Sequence, residues 1–311
     1  MDKITVLAVV GPTASGKTAL GIELAKKYNG EVVSADSMQI YRYMDIATAK
    51  PTKEEMGDIP HHLIDFVEPE DKYSVARYVE DATRVIDDII SRGKMPVIVG
   101  GTGLYIDSLL GGIAFNEQPE NDEIRADLQR EAAEKGNVAM HDILKGIDPE
   151  YAKTLHPNNS GRVIRAIELF RLTGLTMTQQ LENSRKQPSR YNPVMLGIGF
   201  DDREKLYERI NLRVDLMLKD GILDEVKEFY EHHDAKTAAQ AIGCKEFLPY
   251  ISGEKSLEEC VFQLKQSTRR YAKRQLTWFR RNEAINWLYR DRFEGFDALL
   301  EAAFDIVDRN L

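Results

Sequence analysis

Gly11, Pro12, Thr13, Ala14, Ser15, Gly16, Lys17 and Thr18 follow directly on residues 4–10, a run that is apolar except for Thr5. Their spacing, G-x-x-x-x-G-K-[ST], is that of a loop that cradles a di- or triphosphate. Gly11 and Gly16 lack side chains, so backbone N–H groups can turn inward around an anion. Lys17 supplies a point charge for bridging and terminal phosphate oxygens, and Thr18 supplies a hydroxyl suited to Mg2+. A strand-like segment precedes the loop, and residues 18–27, TALGIELAKK, read as a helix whose N-terminus favours anions.

The other parts of a nucleotide hydrolase are missing. The strand candidate at 96–99, PVIV, runs into GGTG with no metal-holding acid, and no guanine-reading Asn-Lys-x-Asp occurs. The carboxylate that stands just past a strand near the loop is Asp36, in EVVSADS at 31–37. It can hold Mg2+, act as a base on a substrate, or cap a helix, as Asp-Ser pairs often do. In residues 203–220, Leu206, Ile210, Val214 and Met217 form an apolar stripe, while Arg209 and Arg213 lie four apart on another face. Two guanidiniums beside a phosphate loop can clamp a leaving diphosphate. The other role open to them is surface pairing with Glu204, Glu208 or Asp215.

The elements that must position these groups read as an α/β fold, a P-loop parallel sheet core flanked by helices with an inserted all-helical domain. Strands are expected near 4–10, 31–35, 62–67 and 95–99, with helices at 17–28 and 74–91 between them. After a polar linker at 116–121, the pattern is helical at 122–135, 139–145, 149–155 and 160–173, until a second linker at 185–193. Strand character returns at 194–200 and 284–288, among helices at 203–220, 223–232, 257–281 and 296–310. The expected division is 1–115 for the first part of the core, 116–190 for the insertion, and 191–311 for the rest of the core with a basic C-terminal helix.

The 311 residues, 42% apolar and 30% charged, suit a soluble enzyme with a large core. No segment approaches eighteen uninterrupted apolar residues, and Met1-Asp2-Lys3 leads straight into a strand. A cytoplasmic protein with no membrane partner is expected. Cys244 and Cys260 lie sixteen apart with no Cys-x-x-Cys, which fits buried reduced thiols better than a disulfide or zinc site. The net charge of −9 disfavours nucleic acid in sum but not locally. Residues 265–281, KQSTRRYAKRQLTWFRR, carry Lys265, Arg269, Arg270, Lys273, Arg274, Arg280 and Arg281 and no acid. At helical spacing Lys265, Arg269 and Lys273 share a face, and Leu264, Tyr271 and Trp278 line another. Such a stripe can follow an RNA backbone, with aromatic rings stacking on bases, or it can be a solvated face paired with acids elsewhere.

Eight ordered motifs resemble those of the tRNA dimethylallyltransferases, also called tRNA isopentenyltransferases, over nearly the whole chain. They are GPTASGKT at 11–18, SADSMQIYRYMDIATAKP at 34–51, HHLIDFVEP at 61–69, GGTGLY at 100–105, HPNNSGRVIRAIE at 156–168, LYERINLRVDLML at 206–218, QAIGCKE at 240–246 and TRRYAKRQLTWFRR at 268–281. Ala47 stands where the family usually has Gly, and Cys244 where it usually has Tyr. The likeness is to bacterial-type members, which lack the zinc finger of eukaryotic relatives.

The resemblance implies transfer of a dimethylallyl group from dimethylallyl diphosphate to the exocyclic amine of the adenine 3′ of the anticodon, in tRNAs reading codons that begin with U. The loop would then hold a prenyl diphosphate with Mg2+ at Thr18, and Asp36 would be the base. Arg213 would be the catalytic arginine, with Arg209 still open. Thr13 and Thr102 would line the donor or nucleotide pocket. Asp36, Ser37, Met38, Gln39, Thr102, Arg125, Gly161, Arg162, Val163, Ile164 and Arg165 would meet the tRNA, joined by Lys273 and Arg274 of the stripe, with the protein a monomer. A small-molecule kinase or a transferase acting on free adenine nucleotides would share the phosphate loop, but neither needs the basic stripe.

Overall fold

Six segments pair in parallel into one sheet: β1 (Ile4–Val10), β2 (Gly30–Ser34), β3 (His61–His62), β4 (Met95–Gly100), β5 (Tyr191–Gly199) and β6 (Ile285–Tyr289), in the order β3-β2-β4-β1-β5-β6. This computed structural model describes residues 3–113, 121–184 and 188–311. The connecting helices are α1 (Lys17–Lys27), α2 (Lys53–Met56), α3 (Val75–Ser91) and α4 (Gly103–Leu110). They are followed by α5 (Asp122–Ile147), α6 (Pro149–Lys153), α7 (Ser160–Thr173) and α8 (Met177–Ser184). The chain ends with α9 (Arg203–Lys219), α10 (Ile222–His232), α11 (Leu248–Ile251), α12 (Leu257–Phe279) and α13 (Phe296–Asn310). None of the helices among the described residues is long and apolar enough to cross a membrane.

The continuous apolar run of β1 is explained by burial on both faces, the usual state of a parallel strand. Val6, Ala8 and Val10 pack with Ala82 and Ile86 of α3 and Ile106 and Leu109 of α4. Leu7 and Val9 pack with Leu20 and Leu24 of α1 and Leu299, Ala303 and Val307 of α13. The neighbouring strands β2, β4 and β1 deliver Asp36, the GGTG turn and the phosphate loop to the same carboxyl edge, where ligands of such sheets bind.

The chain divides into two compact units, residues 1–110 with 190–311, and residues 111–189. The second has its own core, with Leu128, Met140 and Leu144 of α5 against Val163 and Ile167 of α7. Most of the linker expected at 116–121 lies outside the described residues, as do 185–187 of the second. Residues 188–190 of that second linker are irregular, as expected, but 191–193 belong to β5, where Tyr191 already pairs with Ile4. The strand expected at 62–67 shrinks to His61–His62, since Leu63 (φ 58°) and Asp65 (φ 56°) turn left-handed. The non-helical Gly136 (φ 82°) breaks α5 near where two helices were expected. The short α4, mostly apolar and mostly buried, has too few residues for an amphipathic period to reveal it.

Candidate active site

Local backbone strain shapes the phosphate loop. Ala14 takes φ 62° and Gly16 φ 98°, and the N–H of Ser15 donates to the Pro12 carbonyl at 3.3 Å. Gly16 precedes α1 without a side-chain cap, so the first amides of α1 are left for a ligand. The Ser15 hydroxyl is buried and without a hydrogen-bond partner among the described residues. Lys17 Nζ lies 3.5 Å from the Pro12 carbonyl. Desolvation pushes its ammonium down from 10.5 to about 8, with the Asp36 charge opposing and the Arg213 charge assisting.

Two helices from the far end of the chain hold this loop. Gln275 of α12 is buried; its Oε1 accepts from Thr13 N–H at 2.9 Å and its Nε2 donates to the Gly101 carbonyl at 3.0 Å. Gly101 and Gly103 make room for this docking, because a Cβ at Gly101 would lie 2.2 Å from Gln275 Nε2 and one at Gly103 2.2 Å from Trp278 Cδ1. From α9, Arg209 Nε donates to the Ala14 carbonyl at 2.9 Å, and Arg213 Nη1 donates to Thr13 Oγ1 at 3.1 Å. Both arginines thus face the loop instead of Glu204, Glu208 or Asp215. They separate by position: Arg213 lines the cavity beside the loop and Arg209 does not. Burial lowers the pKa of Arg213, with Asp36 and Glu55 opposing.

That cavity, about 280 Å3, is lined by the polar Thr13, Lys17, Thr18, Asp36 and Arg213, by the apolar Met38, Ile210, Val214, Met217, Ile242 and Leu264, and by further polar side chains such as Gln240, Thr268 and Gln275. Asp36 serves as a cap as well: its Oδ1 accepts from Met38 N–H at 3.0 Å and Gln39 N–H at 3.4 Å, ordering the turn that follows β2. No hydrogen bond occupies its other oxygen among the described residues. Ser37 and Gln39 also line the cavity, whereas Thr102 stands behind, its hydroxyl accepting from Ser37 N–H at 3.0 Å. Thr102 therefore positions the 36–39 turn. No cluster of three or more His, Cys, Asp or Glu side chains among the described residues could hold a metal ion alone. Thr18 and Asp36 nevertheless present hard oxygen donors to one cavity, a set that suits Mg2+ once diphosphate oxygens and water complete the shell.

The basic helix is split in function. Lys265 pairs with Asp215 at 2.5 Å, and Arg269 donates to Asn211 at 2.8 Å and lies over Tyr207, so these two members of the stripe bind α12 to α9. Arg270, Lys273, Arg280 and Arg281 are exposed. Arg274 lies over Tyr271 and lines the cavity with it, which makes this residue part of the pocket as well as of the stripe. Lys245 and Thr48 also line the cavity; both stand inside the family-like motifs, but nothing in their type or spacing assigns them to the site. Cys244 and Cys260 are buried free thiols, and desolvation pushes Cys244 up to about 12. Ala47 keeps an ordinary φ and is accommodated because it faces Gly243, so its methyl needs no special backbone.

In the second unit, Val163 and Ile164 are buried in the core, so their side chains cannot reach an RNA. Gly161 and Arg162 are exposed in the first turn of α7. Arg125 and Arg165 both donate to Oε2 of the buried Glu168, at 2.9 and 3.0 Å.

A parallel sheet whose central strand feeds a phosphate loop, with a cavity lined by Lys17, Arg213 and Asp36 at its carboxyl edge, defines a P-loop protein with a small-ligand site. The model of the IPP transferase family matches residues 39–282, and that of isopentenyl transferases matches 4–65. The tRNA dimethylallyltransferase of Acetivibrio thermocellus is 52% identical over 95% of both chains, and that of Caldanaerobacter subterraneus subsp. tengcongensis is 46% identical over 98% of both. Among solved structures, the tRNA isopentenylpyrophosphate transferase of Bacillus halodurans aligns with TM-score 0.73 and 42% identity, over 99% of this chain and 97% of that one. A eukaryotic dimethylallyltransferase acting on tRNA aligns with TM-score 0.82 and 30% identity, over 98% of this chain and 80% of that one. The chain belongs to the IPP transferase (tRNA dimethylallyltransferase) family.

The depressed Lys17 ammonium generates a pH prediction. Lys17 carries its charge below about pH 8, so affinity for a diphosphate ester should be level up to there and fall roughly tenfold per pH unit above it. In the ligand-free protein the sign is opposite. Between about 8 and 10.5 the unfolded chain holds the proton that the folded one has released, so folding stability gains with pH. Titration calorimetry across that range checks the first statement; level affinity throughout would place the Lys17 charge outside the binding step.

Proposed function

We propose that this chain is a monomeric cytoplasmic enzyme. It transfers the dimethylallyl group of dimethylallyl diphosphate to the exocyclic amine of the adenine 3′-adjacent to the anticodon, in tRNAs that read codons beginning with U, and releases diphosphate. The observation that carries this reading is the one cavity that Lys17, Thr18, Arg213 and Asp36 line together with apolar side chains such as Ile210, Val214 and Met217. The cations suit a diphosphate, the apolar side chains suit a five-carbon prenyl group, and a lone carboxylate suits an amine. Family membership supplies the acceptor, since the relatives named above act on tRNA.

The chemistry follows from charge. Ionisation of the allylic C–O bond places negative charge on the departing diphosphate. The loop amides, Lys17 and Arg213 are fixed in advance to receive it in a half-buried site, where such interactions count more than in open water. Thr18 would help to hold Mg2+, which would supply Lewis-acid stabilisation of the leaving group when bound. The adenine amine is a weak nucleophile because its lone pair is delocalised into the ring. Asp36 accepts a hydrogen bond from it and takes the proton as the new N–C bond forms. The target base must leave the stack of the anticodon loop for its amine to reach a carboxylate inside the cavity. The exposed cations of α12 and of α7, Lys273 and Arg162 among them, are the groups we assign to the RNA backbone.

Asp36→Ala should lower kcat by roughly 10²-fold or more and leave tRNA affinity within a few-fold. Single-turnover kinetics with saturating donor and acceptor measures it, and an unchanged kcat would reduce Asp36 to the cap of the 37–40 turn. The division of the basic helix is tested by salt. Lys273→Gln should flatten the log–log dependence of tRNA affinity on salt by about 0.7, the release expected for one single-stranded phosphate contact. Lys265→Gln should leave the slope unchanged, because its ammonium is held by Asp215. Equal slopes for wild type and Lys273→Gln in filter binding would remove Lys273 from the interface.

A further inference from the structure

The 44–50 segment forms one side of the cavity, contributing Ala47 and Thr48, yet what holds it comes from elsewhere. Glu225, on α10, accepts three successive backbone N–H groups: Asp45 at 2.8 Å, Ile46 at 2.7 Å and Ala47 at 2.8 Å. Three consecutive amides converging on one anion form a concave backbone nest, and a carboxylate inside it makes charge-assisted bonds. Beyond the nest the loop closes on itself, with Ala49 N–H to the Ile46 carbonyl at 3.0 Å and Lys50 N–H to the Asp45 carbonyl at 2.9 Å. Ala49 is left in a left-handed conformation, φ 47°, which a residue with a Cβ keeps only when its surroundings impose it. That conformation aims the Ala49 carbonyl at two groups of the site. It accepts from Gln39 Nε2 at 2.9 Å and faces Arg213 Nη2 at 3.5 Å.

We infer that Glu225 is a positioning residue for the diphosphate clamp. By fixing the 45–47 amides it sets the Ala49 carbonyl, and that carbonyl, beside the independent contact with Thr13, sets the guanidinium of Arg213. The loop offers no carboxylate of its own for this task. Asp45 contributes its backbone N–H to Glu225, and its side chain is bound to Lys50. The inference rests on the proposed function only for the nature of the ligand, a diphosphate.

The test is a double-mutant cycle read by calorimetric binding of inorganic diphosphate to wild type, Glu225→Gln, Arg213→Ala and the double variant. A glutamine keeps one acceptor oxygen but turns an amide toward N–H groups that need an acceptor. Glu225→Gln should weaken binding roughly five- to tenfold in the wild-type background and have no further effect once Arg213 is alanine. A loss that multiplies in the double variant, as a general loosening of the fold would give, overturns the inference. So does wild-type affinity in Glu225→Gln. If Glu225→Gln melts early, Glu225→Asp keeps the charge and withdraws it by one methylene. It should show the same dependence on Arg213, and independent losses would again overturn the assignment. Because the probe carries neither prenyl group nor RNA, a wild-type protein that binds it but prenylates no tRNA would contradict the functional reading alone. A wild type that binds no diphosphate contradicts both.

Discussion

Positive charge withdrawn from water ahead of its ligand is the constraint on which the rest of this structure depends. Lys17 and Arg213 share one cavity with a single opposing carboxylate, Asp36, and desolvation disfavours the charged form of both cations. Such an arrangement is unfavourable for the empty protein and is repaid only when an anion arrives. It persists because its surroundings over-determine it: a glycine-shaped loop, an uncapped helix start, the Gln275 bridge from α12, and two arginines reaching across from α9.

The same helices serve both halves of the proposed reaction. On α12, Gln275 grips the phosphate loop, Tyr271 and Arg274 line the cavity, and Lys273 one position earlier is exposed. On α9, Arg213 enters the cavity while Asp215 and Asn211 hold Lys265 and Arg269 of α12. The two helices are therefore cross-tied beside the site, and a shift of the basic helix would be felt at the Thr13 amide. Such coupling suits a reaction whose acceptor is large and whose donor is small.

The phosphate loop, the parallel sheet and the helical insertion were legible because each depends on local pattern: a fixed glycine spacing, continuous apolar strands, and helical periodicity bounded by polar linkers. Arg213 could be proposed, but its separation from Arg209 needed three dimensions, since both touch the loop and only one lines the cavity. The basic stripe read as one surface and is not, because pairing of Lys265 with Asp215 depends on how α12 and α9 pack. Val163 and Ile164 entered through a motif and proved to be core, while the exposed and charged positions around them did not. Glu225 and Gln275 were invisible for a common reason: each acts on backbone amides far away in sequence, and a side chain that serves someone else's backbone leaves no spacing rule behind.

The central claim is that this cavity joins a prenyl diphosphate to a base in RNA. Incubation with labelled dimethylallyl diphosphate and, in parallel, unmodified tRNA, AMP or ATP measures it most directly, with the acceptors separated and digested to nucleosides. The account predicts label on tRNA alone, at an adenosine next to the anticodon. Label on free nucleotides, or none on tRNA that the protein demonstrably binds, would contradict it.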